Sequence, residues 1–310
     1  MLTLRNIAGI ANPPYLFQPF QIVNRVWREL AWRSRTRETV RLPWGLEIII
    51  NPQEAIGHNI TTRGLYDLAV TEALWRLTDP GELTVDVGAN IGYTASILAV
   101  RAGPQGEVVC FEPHPEVMSR LRENADHWRQ DGRCARITLH QLALGSGRGV
   151  ATLCMDSAFQ RNNGTARIVP CPEQSRHASF EVKLERLDSV LAAGQTISVI
   201  KLDAERAELD IFEGMGLLLG GHRVRDIVFE EVAEFPAPTH KFLESAGYTV
   251  LGLQAGIFGV RCVAGAAPAT PLGGDPPSYL ATIEPKRACG RFRQPGWHSF
   301  GMLSRVQARG

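Results

Sequence analysis

The chain reads as an α/β protein with a mostly parallel central sheet and helices on both faces. Three observations predict this. Apolar strands and amphipathic helices alternate between residues 83 and 253, which is the rhythm of βαβ units. The first of these strands runs into a glycine-containing turn and then a helix, the arrangement that places a ligand at the carboxyl edge of an open sheet. Of the 310 residues, 44% are hydrophobic and 21% are charged, an ordinary balance with ample material for a core.

Leu83–Val87 is a short apolar strand, and a helix is expected over 89–100. Glu107–Phe111 is the second strand. Pro115–Trp128 places Val117, Leu121 and Ala125 on one helical face, the spacing of a buried stripe. Residues 136–142 form the third strand and Ile197–Leu202 the fourth, followed by a helix through Leu209 and Phe212. Residues 226–231 and 248–253 supply a fifth and a sixth strand. The stretch 147–196 breaks the rhythm with turn signals and short β-like runs. It reads as an insertion over the ligand edge of the sheet.

The ends differ from the middle. Residues 1–45 carry seven Arg and two Glu, against a formal net charge of +1 for the whole chain. Phe20, Val23, Trp27, Leu30 and Ala31 recur at helical spacing there, as in an amphipathic helix with a solvated basic face. Residues 265–278 are rich in Ala, Pro and Gly and read as a linker before a basic tail. The expected organisation is a basic segment over 1–60, a catalytic domain over 61–264, and the linker and tail over 265–310. No apolar run approaches the 18 or so residues of a membrane span, and the N-terminus shows no signal-peptide core. The six cysteines form no C-x-x-C pair, which fits reduced thiols in the cytoplasm.

The chemistry concentrates in Thr84-Val85-Asp86-Val87-Gly88-Ala89-Asn90-Ile91-Gly92-Tyr93-Thr94. Gly88 and Gly92 permit a sharp turn and a close backbone approach. Asp86 sits where the strand ends. Glu112, twenty-four residues after Gly88 and at the end of the second strand, can accept hydrogen bonds from both hydroxyls of a ribose. A dinucleotide site would show G-x-G-x-x-G. Here Asn90 stands where the second glycine would admit a pyrophosphate. The pattern therefore suits a nucleoside ligand without one, of which S-adenosylmethionine is the obvious example. Asp86, Gly88, Asn90, Gly92, Tyr93, Thr94 and Glu112 are the expected cofactor residues, and Leu142 and Ala143 would flank the adenine. A nicotinamide dehydrogenase is the rival that the glycine turn alone would allow.

From these residues the sequence resembles the FkbM-type methyltransferases, within the class I S-adenosylmethionine-dependent fold. The resemblance covers about residues 60–255 and rests on segments in the family's order: VDVGANIGYTA (85–95), FEPHPEVMSRLRENA (111–125), ALGSGRGVATL (143–153), VKLERLDSVL (182–191), VIKLDAERAELDIFEGM (199–215), DIVFEE (226–231) and FLESAGYTVLGL (242–253). It implies a Rossmann-like sheet and methylation of a hydroxyl on a small or carbohydrate-like acceptor. The family pattern after the fourth strand is K-x-D-x-E-G-x-E. Lys201, Asp203, Glu205 and Glu208 match it, but Arg206 replaces the glycine. If that glycine needs a positive φ, Arg206 strains or narrows the acceptor side, and a non-catalytic scaffold of the same fold becomes the alternative.

Asp203 ends a central strand, where a carboxylate can orient an acceptor hydroxyl, take its proton, or touch the cofactor. It could equally be a helix N-cap. Glu205, read as one turn into the helix, and Glu230 and Glu231, at the end of the fifth strand, are further catalytic candidates. Glu205 and Glu208 also suit the acidic first turn of a helix. No spacing is diagnostic of a metal, and none is expected. His114 and His140 read as packing residues. Asn12-Pro13-Pro14-Tyr15 spells the tetrapeptide of adenine-N6 nucleic-acid methyltransferases. Here it stands before the glycine turn instead of after the fourth strand. With near-neutral charge, no nucleic-acid partner is expected.

Overall fold

The computed structural model describes residues 35–154, 167–168, 179–192, 194–265 and 276–300. The basic amphipathic run at 20–31, the tetrapeptide at 12–15, most of 155–178, and residues 266–275 and 301–310 lie outside the described residues.

Strands β1 (Glu38–Arg41) and β2 (Glu47–Ile50) form an antiparallel hairpin. Helices α1 (Ala55–Arg63) and α2 (Leu68–Leu77) lead to β3 (Leu83–Val87), α3 (Tyr93–Ala102), β4 (Glu107–Phe111), α4 (Pro115–Trp128) and β5 (Arg136–His140). Short strands β6 (Ala143–Leu144), β7 (Gly149–Cys154), β8 (Arg167–Ile168) and β9 (Ser179–Glu185) form a small separate sheet. After α5 (Leu187–Val190) come β10 (Ile197–Leu202), α6 (Glu208–Gly214), α7 (Gly216–Gly220), β11 (Val224–Glu230) and α8 (Pro238–Ser245). The chain then adds β12 (Thr249–Gly256), β13 (Gly259–Ala264), β14 (Ser278–Thr282) and α9 (Pro285–Phe292).

The large sheet has the order β13-β12-β14-β11-β10-β3-β4-β5. Strands β5, β4, β3, β10 and β11 are parallel, and counted along the chain they run 3-2-1-4-5, the doubly wound order. β3 and β4 are almost wholly buried, because helices cover both faces of a parallel sheet and a continuous apolar run is what such a strand requires. One apolar cluster joins the β1–β2 hairpin, α2, α3 and α4 on one face. The other face is packed by α6, α7 and α8. The order reverses between β3 and β10. A crevice opens beyond their carboxyl ends, where this class of sheet binds its ligands.

The structure moves several expected boundaries. The helix after β3 starts at Tyr93 instead of residue 89, because Gly88, Asn90 and Gly92 all have positive φ (70°, 50° and 94°) and cannot continue a right-handed helix. The third strand stops at His140. The boundary expected between residues 60 and 61 falls inside α1. Residues 40–50 are not a separate segment, since Leu42, Trp44, Ile48 and Ile50 are buried in the same core as α3 and α4. Nor is everything after 265 a tail. β14 is fully buried between β11 and β12 and antiparallel to both.

Candidate functional site

The site is built from the carboxyl ends of β3, β4, β10 and β11. The β3 turn comes first. A Cβ on Gly88 would lie 1.9 Å from the Asp203 carbonyl oxygen, so only glycine lets the ends of β3 and β10 meet. Lys201 Nζ reaches back across that junction and donates to the Gly88 carbonyl at 3.2 Å and to Asp203 Oδ2 at 3.3 Å. It also lies 3.9 Å from Asp86 Oδ1. Burial acts to lower the Lys201 pKa, but the carboxylates of Asp203, Asp86 and Glu230 outweigh it and hold the ammonium well above its ordinary value. The charged form of Lys201 is the one its surroundings favour.

Asp86 is fully buried beneath the turn. Thr94 Oγ1 donates to its Oδ2 at 2.7 Å, while Oδ1 has no hydrogen-bond partner. Burial raises its pKa against the opposing pull of Lys201 and Thr94. Glu112 ends β4 with its side chain 7% exposed as a residue. Its Oε2 accepts from the Asn90 N–H at 3.0 Å and its Oε1 from the His114 N–H at 2.9 Å. Burial pushes its pKa up to about 7, with those two N–H groups pulling the other way.

Two clefts meet over these residues. The first has walls of Phe111, Leu142, Ala143, Leu144 and Leu153, with Glu112 also lining it. The small sheet supplies Ala143, Leu144 and Leu153, so part of the 147–196 stretch does stand at the ligand edge. The second cleft is lined by Tyr66, Asp67, Tyr93, Thr94, Lys201, Arg206 and Glu230, among others. Gly88, Asn90, Asp203 and Glu205 border both.

The expected cofactor residues thus separate. Gly88, Asn90, Glu112, Ala143 and Asp203 line the first cleft, and Tyr93 and Thr94 the second. Tyr93 is buried, its hydroxyl 2.8 Å from Thr71 Oγ1. Asp86 lines neither cleft, and nor does Gly92. A Cβ there would strike Leu121 Cδ1 at 2.7 Å and Trp128 Cη2 at 2.8 Å, so its place is fixed by the packing of α3 on α4. Among the catalytic candidates, Asp203, Glu205 and Glu230 face the clefts. Glu231 turns away to accept from the Ala233 N–H at 2.8 Å and from the Thr239 hydroxyl.

Asp203 is not a helix N-cap, because α6 starts at Glu208 after a left-handed turn. Glu205 is in that turn and not in a helix. Glu205 and Arg206 have φ of 52° and 78°. Glu208 Oε1 accepts from the N–H groups of Ala204 at 3.1 Å and Arg206 at 3.2 Å, pinning the turn. His114 caps α4, its Nδ1 accepting from the Val117 N–H at 3.4 Å. His140 is half-buried and stacks on Phe111, with ring centroids 5.1 Å apart. Among the described residues, no group of three or more His, Cys, Asp or Glu is arranged to hold a metal ion.

Sequence reasoning left out Lys201 as an organiser, and Tyr66 and Asp67 as cleft walls. A lysine inside the apolar run Val199-Ile200-Lys201-Leu202 was the available signal, since an unpaired lysine is almost never buried. Nothing in the sequence brings the start of α2 to the carboxyl ends of β3 and β10.

Residues 86–250 match the Methyltransferase FkbM domain family. The chain is similar to the hexuronic acid methyltransferase AglP of Haloferax volcanii, 27% identical over 203 residues covering 63% of this chain and 77% of that protein. It is similar to the 31-O-demethyl-FK506 methyltransferase FkbM of Streptomyces tacrolimicus, 27% identical over 249 residues covering 71% and 92%. Among solved structures, it aligns with the methyltransferase FkbM of Methylobacillus flagellatus at 15% identity and a TM-score of 0.41, covering 72% of this chain and 52% of that one.

Proposed function

The chain belongs to the FkbM methyltransferase family, and from that premise we propose that it transfers a methyl group from S-adenosylmethionine to a hydroxyl of a carbohydrate-like acceptor. The observation that carries this reading is the meeting of the two clefts at Gly88, Asn90, Asp203 and Glu205. One cleft fits a nucleoside and the other has room for an acceptor. That AglP is a hexuronic acid methyltransferase supports a sugar-like acceptor.

The residues present fit this cofactor. The apolar slot between Phe111, Leu142, Leu144 and Leu153 suits a flat purine. Each Glu112 oxygen takes one backbone N–H and keeps a lone pair for a ribose hydroxyl. Asp86 Oδ1, buried beneath the turn, has no hydrogen-bond partner, an acceptor left to spare at the place where the cofactor would sit. When bound, the cofactor supplies an electrophilic methyl on a sulfonium.

The protein's own part is positioning. Lys201 donates to Asp203 Oδ2, so the other carboxylate oxygen is the one available to an acceptor at the junction of the clefts, which Asp203 borders. There the carboxylate accepts the acceptor's hydroxyl hydrogen, aims an oxygen lone pair at the methyl, and can take the proton as the bond forms. Holding the two reacting atoms in line is worth several kcal/mol by itself. Glu230, also facing the second cleft, is a further acceptor for hydroxyl hydrogens. No helix among the described residues is long and apolar enough to cross a membrane, and a cytoplasmic site of action is part of the same proposal.

Calorimetric titration with S-adenosylmethionine, S-adenosylhomocysteine and NAD tests the cofactor assignment. Binding of the first two and not the third is expected, and silence toward all three from folded protein would overturn it. Asp203→Asn is expected to lower turnover about a hundredfold or more, the usual range for one acid–base group, while S-adenosylmethionine affinity changes little. An equal loss of both would make Asp203 structural.

A further inference from the structure

Two cationic side chains, Lys201 and Arg206, line the second cleft, and among the described residues only Lys201 has a partner. Arg206 lines the same cleft and also borders a neighbouring one beside Glu231 and Thr239. Its residue is exposed. Its backbone N–H is bound by Glu208, but among the described residues its guanidinium makes no ion pair or hydrogen bond.

Its backbone is in the left-handed region, at φ 78°, a conformation that suits glycine and strains arginine. The turn is fixed by the Glu208 carboxylate through main-chain N–H groups, so nothing in the local structure calls for the arginine side chain. Strain held in place at the edge of a cleft points to a use for the strained residue in that cleft. The rest of the wall carries Asp67, Asp203, Glu205, Glu208 and Glu230. Those carboxylates can accept hydroxyl hydrogens but repel an anion. Whether an anionic acceptor can enter then depends on Arg206.

Resting on the methyl-transfer reading above, we propose that Arg206 makes the second cleft selective for an anionic, sugar-like acceptor. Its planar guanidinium pairs with an oxyanion of the acceptor in two parallel hydrogen bonds. Arg206 is three residues from Asp203, and three residues of chain span at most about 10 Å. One end of a small polyol is thereby anchored at Arg206 while a hydroxyl elsewhere on it faces Asp203. Arg206 sets specificity, and Asp203 remains the residue at the reacting atoms.

The test is calorimetric titration of the full chain, loaded with S-adenosylhomocysteine, at one ionic strength. The probes are glucuronate, glucose 6-phosphate, glucose and sodium sulfate. At least one anionic sugar should bind roughly tenfold or more tightly than glucose, the usual scale for hydrogen bonds to a charged group. Which of the two does so distinguishes a carboxylate from a phosphate. Arg206→Gly, which the φ of 78° accommodates without strain, should erase that preference and leave S-adenosylhomocysteine affinity unchanged. Arg206→Lys should keep part of it. Equal binding of glucose and both anionic sugars, no sugar binding, a preference that survives Arg206→Gly, or sulfate binding as tightly as the sugars would each overturn the proposal. Failure of S-adenosylhomocysteine to bind would instead remove the methyl-transfer reading. The sugar titrations on the free protein would then decide the anion selectivity by the same ratios.

Discussion

Glu112 shows how one residue couples burial to binding. Its carboxyl is desolvated, so its folded-state pKa of about 7 lies above the ordinary value of 4.5. A raised carboxyl pKa means that the group's contribution to stability is complete below pH 4.5 and is lost as pH rises toward 7. The ionised form, which costs stability, is the form that accepts strongly from ribose hydroxyls. S-adenosylmethionine affinity should therefore rise between pH 6 and pH 8. Glu112→Gln should bind about 1–3 kcal/mol more weakly, with that pH dependence removed. Calorimetry at three pH values checks both, and a pH-independent affinity in the parent protein would separate Glu112 from the ligand. Asp203 was legible as a site candidate because it is a carboxylate at the end of a central strand, and Glu205 because it matches the K-x-D-x-E run that follows that strand. The direction in which Glu231 points was not, because adjacent residues at a strand end face opposite ways.

At the scale of elements, β14 is the part that the sequence concealed. It is five residues long, follows a Pro- and Gly-rich stretch, and pairs with β11 about fifty residues earlier in the chain. Neither its periodicity nor its flanks mark it as a central strand. What fixes it is a buried carboxylate. Asp226 on β11 accepts from Thr282 Oγ1 at 2.7 Å, Arg225 Nε at 2.9 Å and Arg287 Nη1 at 3.0 Å, tying β11, β14 and α9 together. Asp226→Ala would leave two arginines without their common partner. A loss of about 3–5 kcal/mol is expected, the scale for breaking a buried pair, measured by urea denaturation. A loss under about 1 kcal/mol, the scale of an exposed ion pair, would show that the sheet holds β14 without the network. By contrast β3, β4 and β10 were read within a residue of their observed ends, because a strand covered on both faces must be apolar throughout.

At the scale of the whole molecule, α2 fastens the C-terminal residues to the sheet's helical face. Glu72 and Arg76 form a wholly buried pair at 2.6 Å. Arg76 donates to the carbonyls of Arg291, Gln294 and Gly296. Glu72 accepts from the N–H groups of His298 and Ser299 and from the Ser299 hydroxyl. Trp297 and Phe300 then close the core over α2. Glu72→Ala should destabilise by about 3–5 kcal/mol through the unpaired arginine, and amide protection at 285–300 should fall before that of β3 and β4. Uniform loss of protection across the chain would mean that the C-terminal residues fold as one unit with the sheet.

The sequence by itself determined the mostly parallel sheet covered on both faces, the glycine turn, the acidic residue at the end of β4 and the carboxylate at the end of β10. These are local signals: apolar runs, a turn chemistry and residue types at strand ends, each read within a few positions. Only the tertiary structure decided that Lys201 is held among Asp86, Asp203 and the Gly88 carbonyl, that Gly92 serves packing, and that α2 and β14 complete the cleft and the sheet. Those assignments depend on which distant segments meet. The same holds for Arg206. Its departure from a glycine is visible in sequence, but its left-handed backbone and its place on the cleft wall follow from the Glu208 carboxylate and from the strands that converge there.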